Sequence, residues 1–275
     1  MKNLLIVLFS FIITNALSQN FQGIAYYSSQ TQMKDFNISG EGITPDIKEK
    51  MMEKMKKAFE KKYILTFTNS ESVYAEEEKL DAPNPSGNRI SMGFSGGNNS
   101  KYYKNFKNKQ FINNNDIFGK EFLITDSLEK FDWKITDEQK KIGNYTCNKA
   151  QIIIPVTEED IKEYEEFKKK QEGNKTSFMT ISEPKDEIIE AWYTMEIPVS
   201  NGPREFWGLP GLILELHDGN TTLLCSKIVI NPKEKIEIKA PKNGKKVTQK
   251  EFNKIQEDKM NSMMNENGAI EIKMN

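Results

Sequence analysis

The stretch AWYTMEIPVSNGPREFWGLPGLILELH, residues 191–217, decides the fold. Apolar and polar residues alternate over residues 191–197, which predicts a β-strand with one buried face. A continuous apolar run over residues 212–216 predicts a second strand. Pro198 ends the first strand, because proline has no N–H group to donate to a neighbouring strand. The chain is therefore expected to form a strand, a folded corner and a second strand.

Proline and glycine residues shape the corner between these strands. Pro210 presets the negative φ of a second turn position and Gly211 accepts the positive φ of a third, so residues 209–212 are typical of a type II turn. The motif serves backbone conformation in one interpretation and forms a ligand-facing rim in the other. The residues assigned to it are Trp192, Pro198, Gly202, Pro203, Gly208, Leu209, Pro210 and Gly211.

Three segments of this stretch, WYT, IPVSNGP and GLPGLILEL, closely resemble the GLPGLI family of exported Bacteroidota proteins, named after the letters at residues 208–213. The resemblance extends upstream to FDWKI at residues 131–135 and IGNYTCNKA at residues 142–150. It implies export and a mostly β fold, and it brings no set of catalytic residues. By weaker analogy, the fold resembles the half-barrel carriers of the outer-membrane lipoprotein-sorting type.

Residues 1–18 have the features of a secretion signal. Lys2 supplies the positive end, an apolar run follows, and small residues precede a cleavage site expected before Gln19. A permanent N-terminal anchor is the alternative, but the run is short for a span of the bilayer. No cysteine stands at the expected cleavage site, so no lipid anchor is expected. We expect a periplasmic or secreted product without a transmembrane segment, folded as a single β-rich domain over residues 19–275.

Charge composition argues against one class of partner. The chain has 39 basic and 40 acidic residues with both signs interspersed. A protein that binds a polyanion normally carries a basic patch or an excess of positive charge. No nucleic-acid partner is therefore expected.

Amphipathic periodicity predicts two helices that pack on the sheet. The first covers residues 46–62 and has Thr44 as its N-cap, and the second covers residues 248–265 and is capped by Thr248. We expect the first helix to lie with its methionine face against the sheet. Its apolar positions, which recur every four residues, are Ile47, Met51, Met55 and Phe59.

Two further segments are expected to lie outside the sheet. Residues 158–171 begin with acidic and end with basic residues, which matches the helix macrodipole and predicts a charged helical insert. Residues 81–100 are rich in Pro, Gly, Asn and Ser, which predicts a flexible loop.

Other alternating segments bring the count to about a dozen short strands. Lysines and asparagines between residues 101 and 126 suggest edges and turns protected from intermolecular pairing. This pattern predicts a mainly β, α+β fold: a curved antiparallel sheet or half-barrel with two or three packed helices. The remaining predicted strands are residues 21–29, 63–68, 72–77, 101–106, 110–113, 118–126, 145–155, 221–230 and 235–239.

Cys147 and Cys225 are the two cysteines of the chain. An exported protein enters an oxidising compartment, so they form a candidate disulfide. The alternative is two buried, unreactive thiols on separate strands. The sequence leaves both interpretations open.

Residues with catalytic or metal-binding chemistry are sparse. His217 is the single histidine, and no Gly-x-Ser-x-Gly nucleophile elbow is present. Methionine thioethers are soft ligands for copper(I), but ordinary packing explains the methionines without a Met-x-Met motif. We therefore expect no metal site and no cofactor.

The leading functional hypothesis is a non-enzymatic binding or carrier protein for an apolar small molecule or an envelope protein segment. One alternative is a hydrolase that uses acidic residues such as Glu196 and Glu215, provided that a carboxylate pair lies in a cleft. Another is a structural or interaction partner of outer-membrane machinery. The candidate binding residues are Met51, Met55, Phe59, Phe206, Trp207 and Leu209.

Overall fold

The structure, a computed structural model, describes residues 21–32, 44–77, 100–117, 119–171 and 183–263. The predicted signal sequence, residues 81–99 of the predicted loop and the side chain of Met55 lie outside this description. The described helices are α1 (Pro45–Phe59), α2 (Glu158–Gln171) and α3 (Gln249–Met263). The described strands are β1 (Gln22–Thr31), β2 (Lys62–Thr68), β3 (Glu71–Glu76), β4 (Lys101–Asn105), β5 (Gln110–Ile117), β6 (Lys120–Ser127), β7 (Lys134–Ile142), β8 (Tyr145–Ile154), β9 (Glu187–Thr194), β10 (Leu212–Asp218), β11 (Thr221–Ile230) and β12 (Lys245–Val247).

These strands form one open sheet in the order β12-β6-β5-β4-β3-β2-β1-β11-β10-β9-β8-β7. Neighbours are antiparallel except at one edge, where β12 runs parallel to β6. The first strand lies near the middle, because β1 pairs with β2 on one side and with β11 on the other. The prediction of a mainly β fold built on a curved antiparallel sheet is confirmed.

Two register shifts mark irregular points in the middle of the sheet. One lies between Tyr26 and Tyr27 of β1, and the other between Ile213 and Glu215 of β10. An extra residue in one strand of a pair bends that strand and increases its twist. The sheet curls so far that side chains of β2 and β9 line one hollow, although three strands separate them.

Buried side chains form three hydrophobic clusters. One surrounds Phe67 of β2, and a second includes Phe206 and Leu209 from the loop between β9 and β10. We call this loop, residues 195–211, the corner segment. The third cluster packs Phe252 of α3 on Phe122 of β6, with 5.6 Å between ring centroids. Helix α3 therefore packs on the sheet, as its periodicity predicts.

Helix α1 differs from its predicted packing. Ile47 is 44% exposed and Met51 39% exposed, so the expectation that this face lies against the sheet is wrong at both positions. The helix is attached at its C-terminal end, where Ser29 Oγ donates a 2.8 Å hydrogen bond to the carbonyl oxygen of Phe59.

Strand β9 ends at Thr194 and not at Ile197, and both of its faces are buried. The prediction of a single buried face is therefore wrong. The corner segment supplies the reason, because it contributes apolar partners to the cluster around Trp192 and also to the cluster around Tyr193. Met195, expected on the buried face, is 57% exposed.

The predicted type II turn is also wrong. Gly211 has no positive φ, and the positive values in the corner segment belong to Arg204 (50°) and Gly208 (101°). Glycine is required at 211 for another reason. A Cβ atom there would lie 2.0 Å from the carbonyl oxygen of Thr194, so only glycine lets the two backbones approach this closely.

Two other predicted elements differ from the structure. Residues 235–239 form no strand, because the Gln22 side chain takes the place of a backbone ladder: its amide donates to the carbonyl of Glu234 (3.4 Å) and its oxygen accepts from the N–H of Ile236 (3.2 Å). The predicted edges at residues 101–126 are wrong as well, since β4, β5 and β6 lie inside the sheet. Across the described ranges, no helix combines the length and apolarity that a membrane crossing requires.

Candidate functional site: an aromatic cavity

The corner segment is fastened to the sheet by its backbone. The N–H of Leu212 donates to the carbonyl of Ile197 (3.1 Å), and the N–H of Ile213 donates to the carbonyl of Asn201 (3.0 Å). Gly202 is needed for this packing, because a Cβ atom there would lie 2.6 Å from Cδ1 of Ile213. The segment therefore folds back along the start of β10.

Two tryptophans join the corner segment to the stretch before β7. The indole of Trp207 donates a 2.8 Å hydrogen bond to the carbonyl of Glu129, and the indole of Trp133 donates one of 2.8 Å to the carbonyl of Trp207. Trp207 also packs on Phe106, with ring centroids 5.6 Å apart. Phe206 and Leu209 are buried beside it. The sequence-based expectation of a folded corner thus agrees with the geometry.

A fully buried lysine holds the corner segment from the opposite side. The ammonium of Lys104 on β4 donates to three carbonyl oxygens, those of Gly202 (2.8 Å), Arg204 (2.8 Å) and Phe206 (3.1 Å). Three N–H donors thus meet three acceptors. Burial lowers the pKa of Lys104 to about 7, although the nearby Glu205 carboxylate acts in the opposite direction. No local sequence pattern indicates this contact.

A cavity of about 630 Å³ lies on the curled face of the sheet, next to the corner segment. Its walls carry three stacked aromatic pairs with ring centroids 5.0 to 5.2 Å apart. Strand alternation explains why these strand residues share one face, since Tyr74 pairs with Tyr102 across β3 and β4. The pairs are Tyr63 with Tyr74, Tyr102 with Phe111, and Phe131 with Phe206.

Charged side chains also line the cavity. Lys61 forms an ion pair of 2.9 Å with Glu76. Arg204 forms ion pairs with Asp218 and, at 3.3 Å, with Glu205. Burial acts to lower the pKa of Arg204, but these two carboxylates outweigh it and the pKa is raised. Arg204 is therefore charged at every physiological pH.

Carboxylates without such partners complete the lining. Asp126 accepts a 3.2 Å hydrogen bond from the N–H of Gln249 at the start of α3, and Glu129 lies on the stretch that the Trp207 indole holds. Neither carboxylate forms an ion pair among the described residues. The cavity is therefore aromatic on its walls and carries excess negative charge.

The hydroxyl of Tyr74 is a buried polar atom without a hydrogen-bond partner among the described residues. Its ring stacks on that of Tyr63, and both side chains line the cavity. Burial raises the pKa of Tyr74, as it raises that of Tyr63 to about 12. A buried hydroxyl normally has a partner, so this one is an unused donor and acceptor on a side chain that lines the cavity.

A second polar group lies on the other face of β10. The imidazole of His217 contacts Thr222 Oγ1 through Nδ1 (2.9 Å) and Glu215 Oε1 through Nε2 (2.5 Å), and Lys140 donates to the same Glu215 oxygen (2.7 Å). None of these four side chains lines the cavity. In the described part of the chain, no three His, Cys, Asp or Glu side chains are grouped as a metal would require.

The carboxylates of the hydrolase hypothesis are separated from the cavity. Glu196 is exposed and accepts a hydrogen bond from the N–H of Thr146 (2.8 Å). Glu215 is occupied by Lys140 and His217. The structure brings neither carboxylate into the cleft that the hypothesis requires.

The candidate binding residues whose side chains are described do not share one site: those of the corner segment lie together, apart from those of α1. Phe206 lines the cavity, Leu209 is buried in the core, and Trp207 is half-buried outside the cavity. Met51 and Phe59 belong to α1 and line no described part of it. The residues that sequence reasoning missed lie on strands, where period-two alternation was the signal that could have found them. They are Tyr63, Tyr74, Tyr102 and Phe111.

Both cysteines are buried and free. They lie in one hydrophobic cluster, Cys147 on β8 and Cys225 on β11. Burial raises the pKa of Cys147 to about 11 and that of Cys225 to about 12. The two thiols are not bonded to each other in this structure.

Residues 133–215 match a family described as "Protein of unknown function (Porph_ging)". The matched range contains the whole corner segment and five of the cavity-lining residues. These five are Ile154, Ile189, Arg204, Glu205 and Phe206. No curated protein sequence matches the chain.

Solved structures of PNGF-II are similar to this chain. "Structure of PNGF-II in C2 space group" has a TM-score of 0.48 and 15% identity, and covers 87% of this chain and 33% of that chain. "Structure of PNGF-II in P21 space group" has a TM-score of 0.48 and 14% identity, and covers 86% of this chain and 33% of that chain. The chain thus spans about one third of the length of these structures.

Proposed function

We propose that this protein is a non-enzymatic binding or carrier protein that holds a small apolar ligand in the aromatic cavity. The observation that carries the proposal is the cavity of about 630 Å³ with three stacked aromatic pairs in its walls. Ligand pockets for small molecules have volumes of about 300 to 1,000 Å³ and are lined mainly by apolar and aromatic side chains.

Binding is favoured over hydrolysis by the positions of the acidic residues. The candidate carboxylates Glu196 and Glu215 have partners outside the cavity. The row of Thr222, His217 and Glu215 lies on the other face of β10, away from the hollow in which a substrate would be held. Catalysis needs the reacting bond held beside the catalytic groups, and a cavity elsewhere does not provide this.

The concave site also favours a small molecule over the two macromolecular occupants, an envelope protein segment and outer-membrane machinery. A docking surface for a protein is usually larger and flatter than this concave hollow. The same proposal includes the signal sequence, export to the periplasm or beyond, and the resemblance to the GLPGLI family. Their support is the pattern of residues 1–18 and 191–217.

Fluorescence of N-phenyl-1-naphthylamine, a neutral apolar dye, tests the proposal. The dye should brighten with the protein, and Tyr102→Ala should weaken its binding about tenfold, because an aromatic wall contributes about 1 to 2 kcal/mol. Tyr26→Ala is the matched control, since Tyr26 is on β1 and does not line the cavity. Equal loss in both variants, or no binding to the wild type, would reject the cavity as the site.

Mass spectrometry under native conditions, on protein purified from its own source, identifies the natural occupant. We expect an additional mass of one small molecule, which Tyr102→Ala loses. Co-purification of a protein without any small molecule would favour the interaction-partner alternative.

A further inference from the structure

We infer that the ligand of the aromatic cavity is a small organic cation, an amine or ammonium group carried on an apolar body. The inference rests on the proposed binding function and names its ligand class. Its basis is the juxtaposition of aromatic faces, two carboxylates without ion pairs, Asp126 and Glu129, and the unpartnered hydroxyl of Tyr74.

The charges of the cavity lining do not balance. The described lining contains four carboxylates, Glu76, Asp126, Glu129 and Glu205, against two cations, Lys61 and Arg204. Lys61 pairs with Glu76, and Arg204 pairs with Glu205 and with Asp218. The excess negative charge therefore falls on Asp126 and Glu129.

Hydrogen bonds from backbone N–H groups only partly balance the negative charge in the cavity at the Asp126 side chain. Its carboxylate accepts hydrogen bonds from the N–H groups of Ser127 (2.8 Å) and Gln249 (3.2 Å). Gln249 begins α3, and the positive end of a helix dipole carries about half an elementary charge. A carboxylate held in this way keeps its position in the cavity wall, where a cationic ligand can contact it.

Aromatic faces add an attraction that is specific for cations. A positive group over a tyrosine or phenylalanine face is drawn to the negative centre of the ring, most strongly where water is excluded. Tyr102 and Phe111 stack 5.1 Å apart on the same wall as Asp126, because Phe111 pairs with Asp126 across β5 and β6. One bound cation can therefore contact a ring and a carboxylate together.

Tyr74 supplies a hydrogen-bond acceptor for the N–H groups of such a cation. Its oxygen is buried and has no partner among the described residues. Burial and then the surrounding carboxylates raise the pKa of the cavity tyrosines: Glu76 acts on Tyr63, where Arg204 acts in the opposite direction, and Glu205 and Glu129 act on Tyr102. The carboxylates thus make the potential at these rings more negative.

An anionic ligand fits this lining less well. It would have to compete with Asp218 and Glu205 for the guanidinium of Arg204. It would also approach Asp126 and Glu129, which would repel it. Like charges brought together in a site of low dielectric are strongly unfavourable.

Isothermal titration calorimetry with three naphthalene probes tests the inference. They are 2-(2-naphthyl)ethylamine, its neutral N-acetyl derivative and the anion 2-naphthylacetate. We expect the amine to bind about tenfold more tightly than the neutral probe, and the anion more weakly than both. Equal binding of the amine and the neutral probe overturns the inference and leaves the proposed function standing. Binding of none of the three overturns both.

Substitutions of the two carboxylates show which residues cause the preference for the amine over the neutral probe. Asp126→Asn and Glu129→Gln should each lower the ratio of amine to neutral affinity by about threefold, and Asp126→Asn keeps the acceptor for the start of α3. Glu121→Gln, an exposed change on β6 outside the cavity, should leave the ratio unchanged. A ratio insensitive to both cavity variants overturns the assignment.

Tyr74→Phe isolates the hydroxyl. It should weaken the binding of the primary amine about fivefold. The binding of a further probe, in which a trimethylammonium group replaces the amine, should not change, because that cation has no N–H to donate. An equal loss for both probes would show that the hydroxyl accepts no hydrogen bond from the ligand.

Discussion

The ammonium of Lys104 lies 2.8 Å from the carbonyl oxygen of Gly202, and this contact ties strand β4 to the corner segment across 98 residues of sequence. The same ammonium binds the carbonyls of Arg204 and Phe206, two residues that line the cavity. A buried charge without a carboxylate partner is unfavourable unless polar groups surround it, and three carbonyls meet that need. Lys104 therefore sets the position of one cavity wall.

Lys104→Met tests this role. The substitution keeps an apolar stem but leaves three carbonyls of the corner segment without their donor. We expect the free energy of unfolding to fall by about 3 kcal/mol, since each buried group left unpaired costs about 1 kcal/mol or more. Urea denaturation followed by circular dichroism measures the change.

Lys107→Met is the control for that experiment. Lys107 is exposed in the turn that follows β4. Its substitution should change the free energy of unfolding by less than about 0.5 kcal/mol. Equal effects of the two variants would show that the contacts of Lys104 with the corner segment add no stability.

The stability should also depend on pH through Lys104. Burial lowers its pKa to about 7 in the folded protein, whereas an unfolded chain has a lysine pKa of about 10.4. Between these values the unfolded state binds more protons, so Lys104 makes the free energy of unfolding rise as the pH increases from about 7. Below about pH 7 both states are protonated and the contribution no longer changes.

The comparison with Lys104→Met separates this effect from other titrations. The wild-type value minus the variant value should increase between about pH 7 and about pH 9, because the variant lacks the titrating amine. Urea denaturation of both proteins over this range provides the measurement. A constant difference would mean that the three carbonyls keep Lys104 protonated throughout.

Gly211→Ala should be far more destabilising than an alanine substitution at an open glycine. The new Cβ would lie 2.0 Å from the carbonyl oxygen of Thr194, a backbone atom that the β9–β10 pairing holds in place. Gly143, at the β7–β8 turn, has a φ of +58° and nothing within 4 Å of an added Cβ, so Gly143→Ala strains only the backbone.

We expect a loss of about 1 to 2 kcal/mol for Gly143→Ala, the energy of a left-handed conformation for an L-residue. Gly211→Ala should lose more than about 3 kcal/mol, as overpacking against fixed atoms does. Thermal denaturation of both variants shows which substitution causes the larger loss of stability. A smaller loss at 211 than at 143 would contradict the close approach of β9 and the corner segment.

Local sequence patterns predict where the strands lie better than they predict what packs against the strands. Alternation identified β1, β2 and β3, because period two reports directly on which side of a strand is buried. The same rule failed at β9, where Trp192 and Tyr193 are both buried. The partners that bury them come from the corner segment, and a strand pattern carries no information about what covers its second face.

The cavity was harder to predict than the fold because its residues come from distant segments. Its lining residues are spread along the chain between Lys61 and Gln249, and the curl of the sheet brings these residues together. The lysines near β4 suggest an exposed edge, yet Lys104 is fully buried. Its carbonyl partners lie about a hundred residues further along the chain, so no short stretch of sequence contains both the lysine and its partners.

The last prediction concerns the cysteines, whose pairing the sequence left open. Burial raises the pKa of Cys147 to about 11 and that of Cys225 to about 12, so both thiols are protonated at neutral pH and shielded by the core. A thiolate is the reactive form, and therefore 5,5′-dithiobis(2-nitrobenzoate) should release almost no colour from the native protein. In guanidinium chloride without reductant it should detect both cysteines of the chain. Prior reduction with dithiothreitol is the control, and thiols that become detectable only after this treatment would establish the disulfide instead.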